Sequence, residues 1–295
     1  MKEVGGQAVI EGIMMRADNS IALAVRNPAG NIILKHENVE SGSKKFPFLK
    51  LPIFRGVYSL YNALVIGVKY LTISANIAST KIGEEEEELS AREIFFTLFF
   101  AGFLGVFMFI MLPSIASRLF EYTGINNHLY LNVFEGIVRI LIFLIYVYSI
   151  SRLEDIEKVF MYHGAEHKTI YAYENNEDLN LENVRKHSRF HPRCGTSFLM
   201  FVMIISMLVF SFVKVDEWYL KIFYKILLMP LVAGLSFEFI KMAGRNISNP
   251  IIKSFVTPGL WLQHITTKEP EDEQLEVAIK ALEKAVEENE DEFAV

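Results

Sequence analysis

His163, Glu166 and His167, in the stretch Tyr162-His-Gly-Ala-Glu-His-Lys168, form an H-x-x-E-H pattern, the inverted form of the zinc-hydrolase signature. On a helix the two imidazoles lie one turn apart with the carboxylate between them, so all three project from one arc of about 100°. Two neutral imidazoles can hold a divalent metal, zinc first among those that imidazole suits. A carboxylate beside them can take a proton from water, which makes Glu166 the candidate general base of a metal-assisted hydrolysis.

Two imidazoles seldom retain a catalytic metal, so a third ligand is expected. Glu238, near the end of a late apolar segment, ranks first, because an ionisable group there needs a partner. The rival set is His191 and Cys194, with His187, in Arg185-Lys-His-Ser-Arg-Phe-His-Pro-Arg-Cys-Gly195. With His163 and His167 these would close a four-ligand site, which is structural rather than catalytic. Blander readings stand beside each: two histidines making ordinary hydrogen bonds from a helix face, Cys194 as a small buried thiol, and Glu238 paired with Lys241 or Arg245.

The elements that must position these residues are largely apolar. Positive mean hydropathy and 24 phenylalanines exceed what a soluble domain of this length needs. Residues 94–117 carry no charge and are long enough as a helix to cross a bilayer core of about 30 Å. Residues 195–213 share that character, and 133–151 and 220–240 read as two further spans. In these, Glu135 and Arg139 are spaced to pair, and Lys221 and Lys225 are placed to extend toward the interface. Arg118 is the only basic residue of the 118–132 loop, whereas 152–196 carries seven, Arg152, Lys158, Lys168, Arg185, Lys186, Arg189 and Arg193. The loop 152–196 and both termini are therefore expected in the cytoplasm. The segment Met1-Lys-Glu-Val-Gly-Gly-Gln7 has no apolar signal core, in keeping with that orientation.

The fold class expected is mainly α: a polytopic helical membrane protein with about four transmembrane helices, a small N-terminal β-meander and cytoplasmic amphipathic helices. Residues 1–45 form the meander, with strands expected at 7–15, 21–25 and 32–39. Residues 46–93 hold an amphipathic helix over 52–79 and an acidic linker, Glu84 to Glu88. Residues 94–247 are the membrane domain, with a helix at 154–173 presenting the H-x-x-E-H residues. Residues 248–295 end in an amphipathic helix from Glu271 onward, with Trp261 suited to the interface. The net charge of −6 owes much to acidic runs and argues against nucleic acid as a partner; the single Cys194 excludes an intrachain disulfide.

Four stretches carry a family resemblance: Gly5-Gly-Gln-Ala-Val-Ile-Glu-Gly-Ile-Met-Met-Arg16, His163-Gly-Ala-Glu-His-Lys-Thr169, His191-Pro-Arg-Cys-Gly-Thr-Ser197, and Pro258-Gly-Leu-Trp-Leu-Gln263 with Thr266-Thr-Lys-Glu-Pro270. Together they resemble the YqhQ-like bacterial membrane family of unknown function, whose members are often labelled predicted metal-dependent enzymes. The resemblance spans nearly the whole chain and implies no substrate. It draws Gln7, Glu11 and Arg16 into a motif, and suggests that the β-unit covers the metal site, with Glu11 as a further ligand or acid/base group.

The function expected is that of a multi-pass cell-membrane protein with a cytoplasmic-side divalent metal site, acting as a hydrolase on a protein, peptide or lipid substrate at the bilayer. The alternative is a non-catalytic membrane scaffold or regulator with a structural metal site or none. An open coordination position would favour the enzyme; a closed tetrahedron of protein ligands would favour the scaffold.

Overall fold

The structure is a computed structural model and describes residues 2–39, 49, 51–80, 90–125, 127–215, 217–245 and 249–287. Four strands, β1 (Val4–Val9), β2 (Gly12–Ala17), β3 (Ser20–Arg26) and β4 (Ile32–Asn38), lie side by side in sequence order, all antiparallel. The helices follow: α1 (Phe54–Ser79), α2 (Ala91–Val106), a π-turn (Phe107–Met111), α3 (Leu112–Glu121), α4 (His128–Ile150), α5 (Glu154–Glu174) and α6 (Leu181–Lys186). The last four are α7 (Gly195–Phe210), α8 (Trp218–Arg245), α9 (Pro250–Thr266) and α10 (Asp272–Val286). The expected acidic linker, Glu84 to Glu88, lies outside the described residues.

The sheet has one strand more than expected. Val9 pairs directly with Gly12, so Ile10 and Glu11 form a tight turn that splits the 7–15 segment, with Glu11 at φ 48. The split is invisible as a hydrophobic pattern because both faces of the sheet are covered, which removes the apolar–polar alternation that marks a half-buried strand. Ile13, Met15, Ala22 and Ala24 pack on α5 and α10, while Met14, Ile21, Leu23 and Val25 face α1 at Tyr70 and Ile77. The tail helix α10 is a packing element. Its stripe of Leu275, Ala278, Ala281 and Leu282 is fully buried against the sheet and α5.

Three helices are long and apolar enough to cross a membrane: Arg92–Glu121, His128–Ile150 and Trp218–Ala243. The fourth apolar segment, α7, has 16 residues, about 24 Å of helix, because the chain turns at Ser211 instead of continuing to Val213. It packs among α4, α8 and α9, with Met200, Phe201 and Phe210 buried. The first long helix is broken in its middle by the π-turn. Pro113 has no N–H for the Phe109 carbonyl, and Nε of Arg139 donates to that carbonyl at 2.7 Å instead.

Lys225 does not extend to the interface as expected. Lys225 is fully buried and bonds Glu135, while Lys221 lies 3.3 Å from the same carboxylate; the expected Glu135–Arg139 pair is present at 2.9 Å. One buried carboxylate therefore outcompetes water for the Lys225 ammonium. Asn132 donates to the Val213 carbonyl at 3.2 Å, which brings the α3–α4 and α7–α8 turns to one end of the bundle. The H-x-x-E-H helix α5 starts at the other end, directly after α4.

Candidate metal centre

Helix α5 covers the expected 154–173 segment and buries Gly164, Ala165, Glu166, His167 and Lys168 on one stretch. Gly164 is there for close approach: a Cβ at that position would lie 2.2 Å from the Lys268 carbonyl oxygen. The absent side chain lets the 266–270 segment run against the helix, where the Lys268 N–H donates to the Phe160 carbonyl at 2.9 Å.

That approach fixes the first imidazole. Nδ1 of His163 is 2.8 Å from the Thr266 carbonyl, and Nδ1 of His167 is 2.5 Å from the Arg189 carbonyl. A carbonyl only accepts, so each Nδ1 carries a hydrogen, and in the neutral ring Nε2 is the nitrogen with the lone pair. This is the arrangement by which metal-binding histidines are usually oriented. Nε2 of His163 lies 3.1 Å from Sγ of Cys194, and one donor atom from each of His163, His167 and Cys194 falls within 4.8 Å of the other two. Ligands of a tetrahedral zinc at ordinary bond lengths are about 3.3–3.8 Å apart, so the spacing is close to that of a metal site.

Cys194 is the N-cap of α7. Its sulfur accepts from the Thr196 N–H at 3.4 Å and lies 3.1 Å from the Thr196 hydroxyl. Two of the expected ligands are placed differently. Glu238 is bound by Arg55 at the start of α1 and does not join the three. The sequence spacing could not reveal this, since the two residues come from helices far apart in the chain. His191 is adjacent, its ring 5.6 Å from that of His167, but its Nδ1 lone pair faces the Arg193 N–H at 3.4 Å. Its Nε2 has no hydrogen-bond partner and is 3.6 Å from Glu174. Burial, with His167 and Arg193 nearby, lowers the pKa of His191 to about 3 and keeps it neutral. His187 lies apart, bonded to Glu177 at 3.0 Å.

Glu166 is not among the three ligands. Burial raises its pKa above the ordinary carboxylate value, partly opposed by His163 and by a hydrogen bond from the Gly6 backbone. Gly6 must be glycine for this contact, as a Cβ would fall 2.9 Å from the Glu166 side chain. Glu166, His167 and Cys194 line one cavity of about 520 Å³, whose other walls include Gly6, Leu60, Ala63, Phe198 and Phe237. Strand β1 thus walls the cavity, as a covering β-unit would. Glu11 does not enter it: its carboxylate is 3.0 Å from Lys158 and 3.4 Å from the Tyr162 hydroxyl. Arg16 donates to the Asp18 carbonyl at 3.1 Å, and Gln7 packs at Gly67.

The residues missed by the sequence reading are those that hold the ligands. Gln263 accepts from the His191 N–H and donates to the His191 carbonyl, both at 2.8 Å, and also donates to Ser197 at 3.0 Å. Arg189, whose carbonyl receives His167, bonds the Thr267 carbonyl. The late motifs ending in Gln263 and spanning Thr266 to Pro270 are the outer support of the site. Their one sequence signal was membership in a recurring motif far from any recognisable chemistry.

Residues 51–288 match the family described as "Protein of unknown function (DUF1385)". The chain is also 35% identical over 292 residues to the "Uncharacterized protein YqhQ" of Bacillus subtilis, an alignment covering 94% of this chain and 90% of that protein. No solved structure matches it. The H-x-x-E-H helix and its supporting segments fall within the matched region, and the chain belongs to this family of unknown function.

Proposed function

We propose that the protein is a metal-dependent hydrolase of the cell membrane, in which His163, His167 and Cys194 hold a divalent ion, zinc first, and Glu166 is the general base. The observation that carries this reading is the set of two anchored imidazoles and a capped thiol beside a non-ligating buried carboxylate, open to a cavity. Three protein ligands leave a fourth position for water or substrate, as catalytic zinc sites do. A bound ion there would polarise a carbonyl and acidify a water molecule. Glu166 takes the proton from the attacking water; the water oxygen bonds to the carbonyl carbon; and Glu166 returns the proton to the leaving amine or alcohol as the amide or ester bond breaks. Desolvation suits Glu166 to both roles, because a raised pKa brings its two protonation states closer in energy near neutral pH.

The substrate is a protein, peptide or lipid that reaches the site along the bilayer. Leu60, Ala63, Phe198 and Phe237 give the cavity an apolar wall drawn from α1, α7 and α8. We place four crossings in the membrane, with α7 as the shortest, and both termini and the metal centre on the cytoplasmic side. The adjacency of the α3–α4 and α7–α8 turns supports this, and so does the excess of basic residues in 152–196. A structural site is the second reading, favoured by the neutral His191 ring beside His167, which a rotation would offer as a fourth ligand.

Metal analysis of the purified protein against its Glu166→Gln variant tests the proposal. One equivalent of zinc in both, with hydrolysis of bilayer-embedded peptide or lipid substrates lost by about 10²–10⁴ in the variant, is the expected result. Equal activity in the two removes the catalytic reading, and a metal-free wild type removes both.

A further inference from the structure

The membrane bundle holds a second polar site at the end away from the metal centre. Glu135 is buried, 1% exposed, and its carboxylate meets Arg139 at 2.9 Å, Lys221 at 3.3 Å, Lys225 and the Ser114 hydroxyl at 3.0 Å. Three cations thus share one carboxylate. Arg139 is otherwise satisfied, by the Phe109 carbonyl at 2.7 Å and the Ser206 hydroxyl at 3.1 Å. Lys225 also donates to Ser114 at 3.1 Å. Lys221 is different: besides its contact with Glu135, it lines a cavity of about 200 Å³ together with Ser114, Ser117, Arg118, Glu121 and Trp218.

Among the described residues, the buried cluster sets Arg139, Lys221 and Lys225 against the single carboxylate Glu135, and the adjoining cavity adds the exposed Arg118 and Glu121, with His128 in its lining. Excess positive charge in a low-dielectric bundle is unfavourable unless an anion offsets it. The geometry points to a phosphate-class oxyanion bound in this cavity by Lys221 and Arg118; the Ser114 and Ser117 hydroxyls donate elsewhere, to Glu135 and to the Leu131 carbonyl. A tetrahedral oxyanion has several acceptor oxygens, which suits an ammonium and a guanidinium converging from different helices. The volume decides the size of the ligand. It is below the roughly 300–1,000 Å³ of drug-sized pockets, so it admits a headgroup or a free ion, not a larger metabolite. Trp218 at the rim, 53% exposed, is the residue type found at headgroup level. The ligand chemistry is therefore that of a phospholipid headgroup or of free phosphate.

Native mass spectrometry of the full chain, released from lipid nanodiscs, tests this. One arm uses phosphatidylglycerol nanodiscs. A second uses detergent-purified protein with inorganic phosphate, read by calorimetry. Retention of one phosphatidylglycerol assigns the site to a headgroup, and phosphate binding without lipid retention assigns it to the free ion; either supports the proposal if Lys221→Gln and Arg118→Gln each weaken it at least ten-fold. Lys214→Gln, an exposed lysine outside the cavity, is expected to bind as the wild type does. Binding of neither probe overturns the proposal, as does binding that both cavity variants leave unchanged. If Lys221→Gln does not fold, Arg118→Gln alone decides.

Discussion

Nε2 of His163 faces Sγ of Cys194 at 3.1 Å, although 31 positions separate the two residues. The contact joins the middle of α5 to the first turn of α7, so metal binding at this point would cross-link α5 to the apolar helix α7. Thiolate is required for ligation, and a serine oxygen is a poorer zinc ligand than sulfur. Cys194→Ser should therefore fold, with Thr196 still capped, but lower zinc affinity by well over ten-fold. Competition with a chelator, read by metal analysis, checks this; undiminished affinity would remove Cys194 from the ligand set.

Gly164→Ala gives a prediction whose sign is informative. Alanine favours a helix interior by about 1 kcal/mol over glycine, so a free helix would be stabilised. Here the methyl group meets the Lys268 carbonyl at 2.2 Å, and the 266–270 segment must withdraw, taking the Thr266 carbonyl from His163. We expect net destabilisation of about 1–3 kcal/mol and weaker metal retention, measured by thermal denaturation and chelator competition.

Gln263→Ala removes three buried hydrogen bonds and leaves the His191 N–H unpaired, while the His191 carbonyl keeps only the Cys194 N–H at 3.3 Å. Each unsatisfied buried group costs about 1–3 kcal/mol. Loss of an outer support typically weakens metal affinity by about 10–100-fold, and the same fall is expected here. The midpoint of thermal unfolding and the zinc dissociation constant report the two effects separately.

Acid should weaken the fold through His191. Its folded pKa lies near 3, below the unfolded value of 6.5, so below pH 6.5 the unfolded chain binds a proton that the folded chain does not. Stability from this group is complete above pH 6.5 and is lost as pH falls toward 3, by about 1 kcal/mol between pH 6.5 and 5.5. His191→Gln should flatten the stability profile in that window, whatever its effect at pH 7.5.

Single cysteines report the topology, since Cys194 is the only native one and is buried. In a Cys194→Ser background, Thr123→Cys and Lys214→Cys should react with a membrane-impermeant maleimide in intact cells. Asp178→Cys should react only after lysis. Labelling of position 178 from outside would reverse the orientation, and protection of position 214 would mean that α7 does not cross.

Glu238 shows what sequence could not supply. Its type and its place near the end of an apolar helix qualify it as a ligand, but Arg55 neutralises it from α1, and a sequence pattern does not show which distant helix supplies a partner. Glu238→Gln is accordingly expected to leave metal content unchanged and stability within about 1 kcal/mol, as for other partly exposed pairs.

By itself the sequence determined whatever depends on local spacing. The i, i+3, i+4 placement of His163, Glu166 and His167 puts them on one helical face wherever α5 packs, and the Glu135–Arg139 pair follows from the same geometry. Uncharged runs mark the bundle because backbone and bilayer lengths are fixed quantities. Tertiary structure alone decided the rest. Cys194 became the third member of the group, Glu238 was drawn to Arg55, Lys225 turned inward to Glu135, and the hairpin at Ile10 and Glu11 was hidden by a sheet covered on both faces. In each case a side chain had several chemically equivalent partners along the chain, and packing selected among them by distance in space.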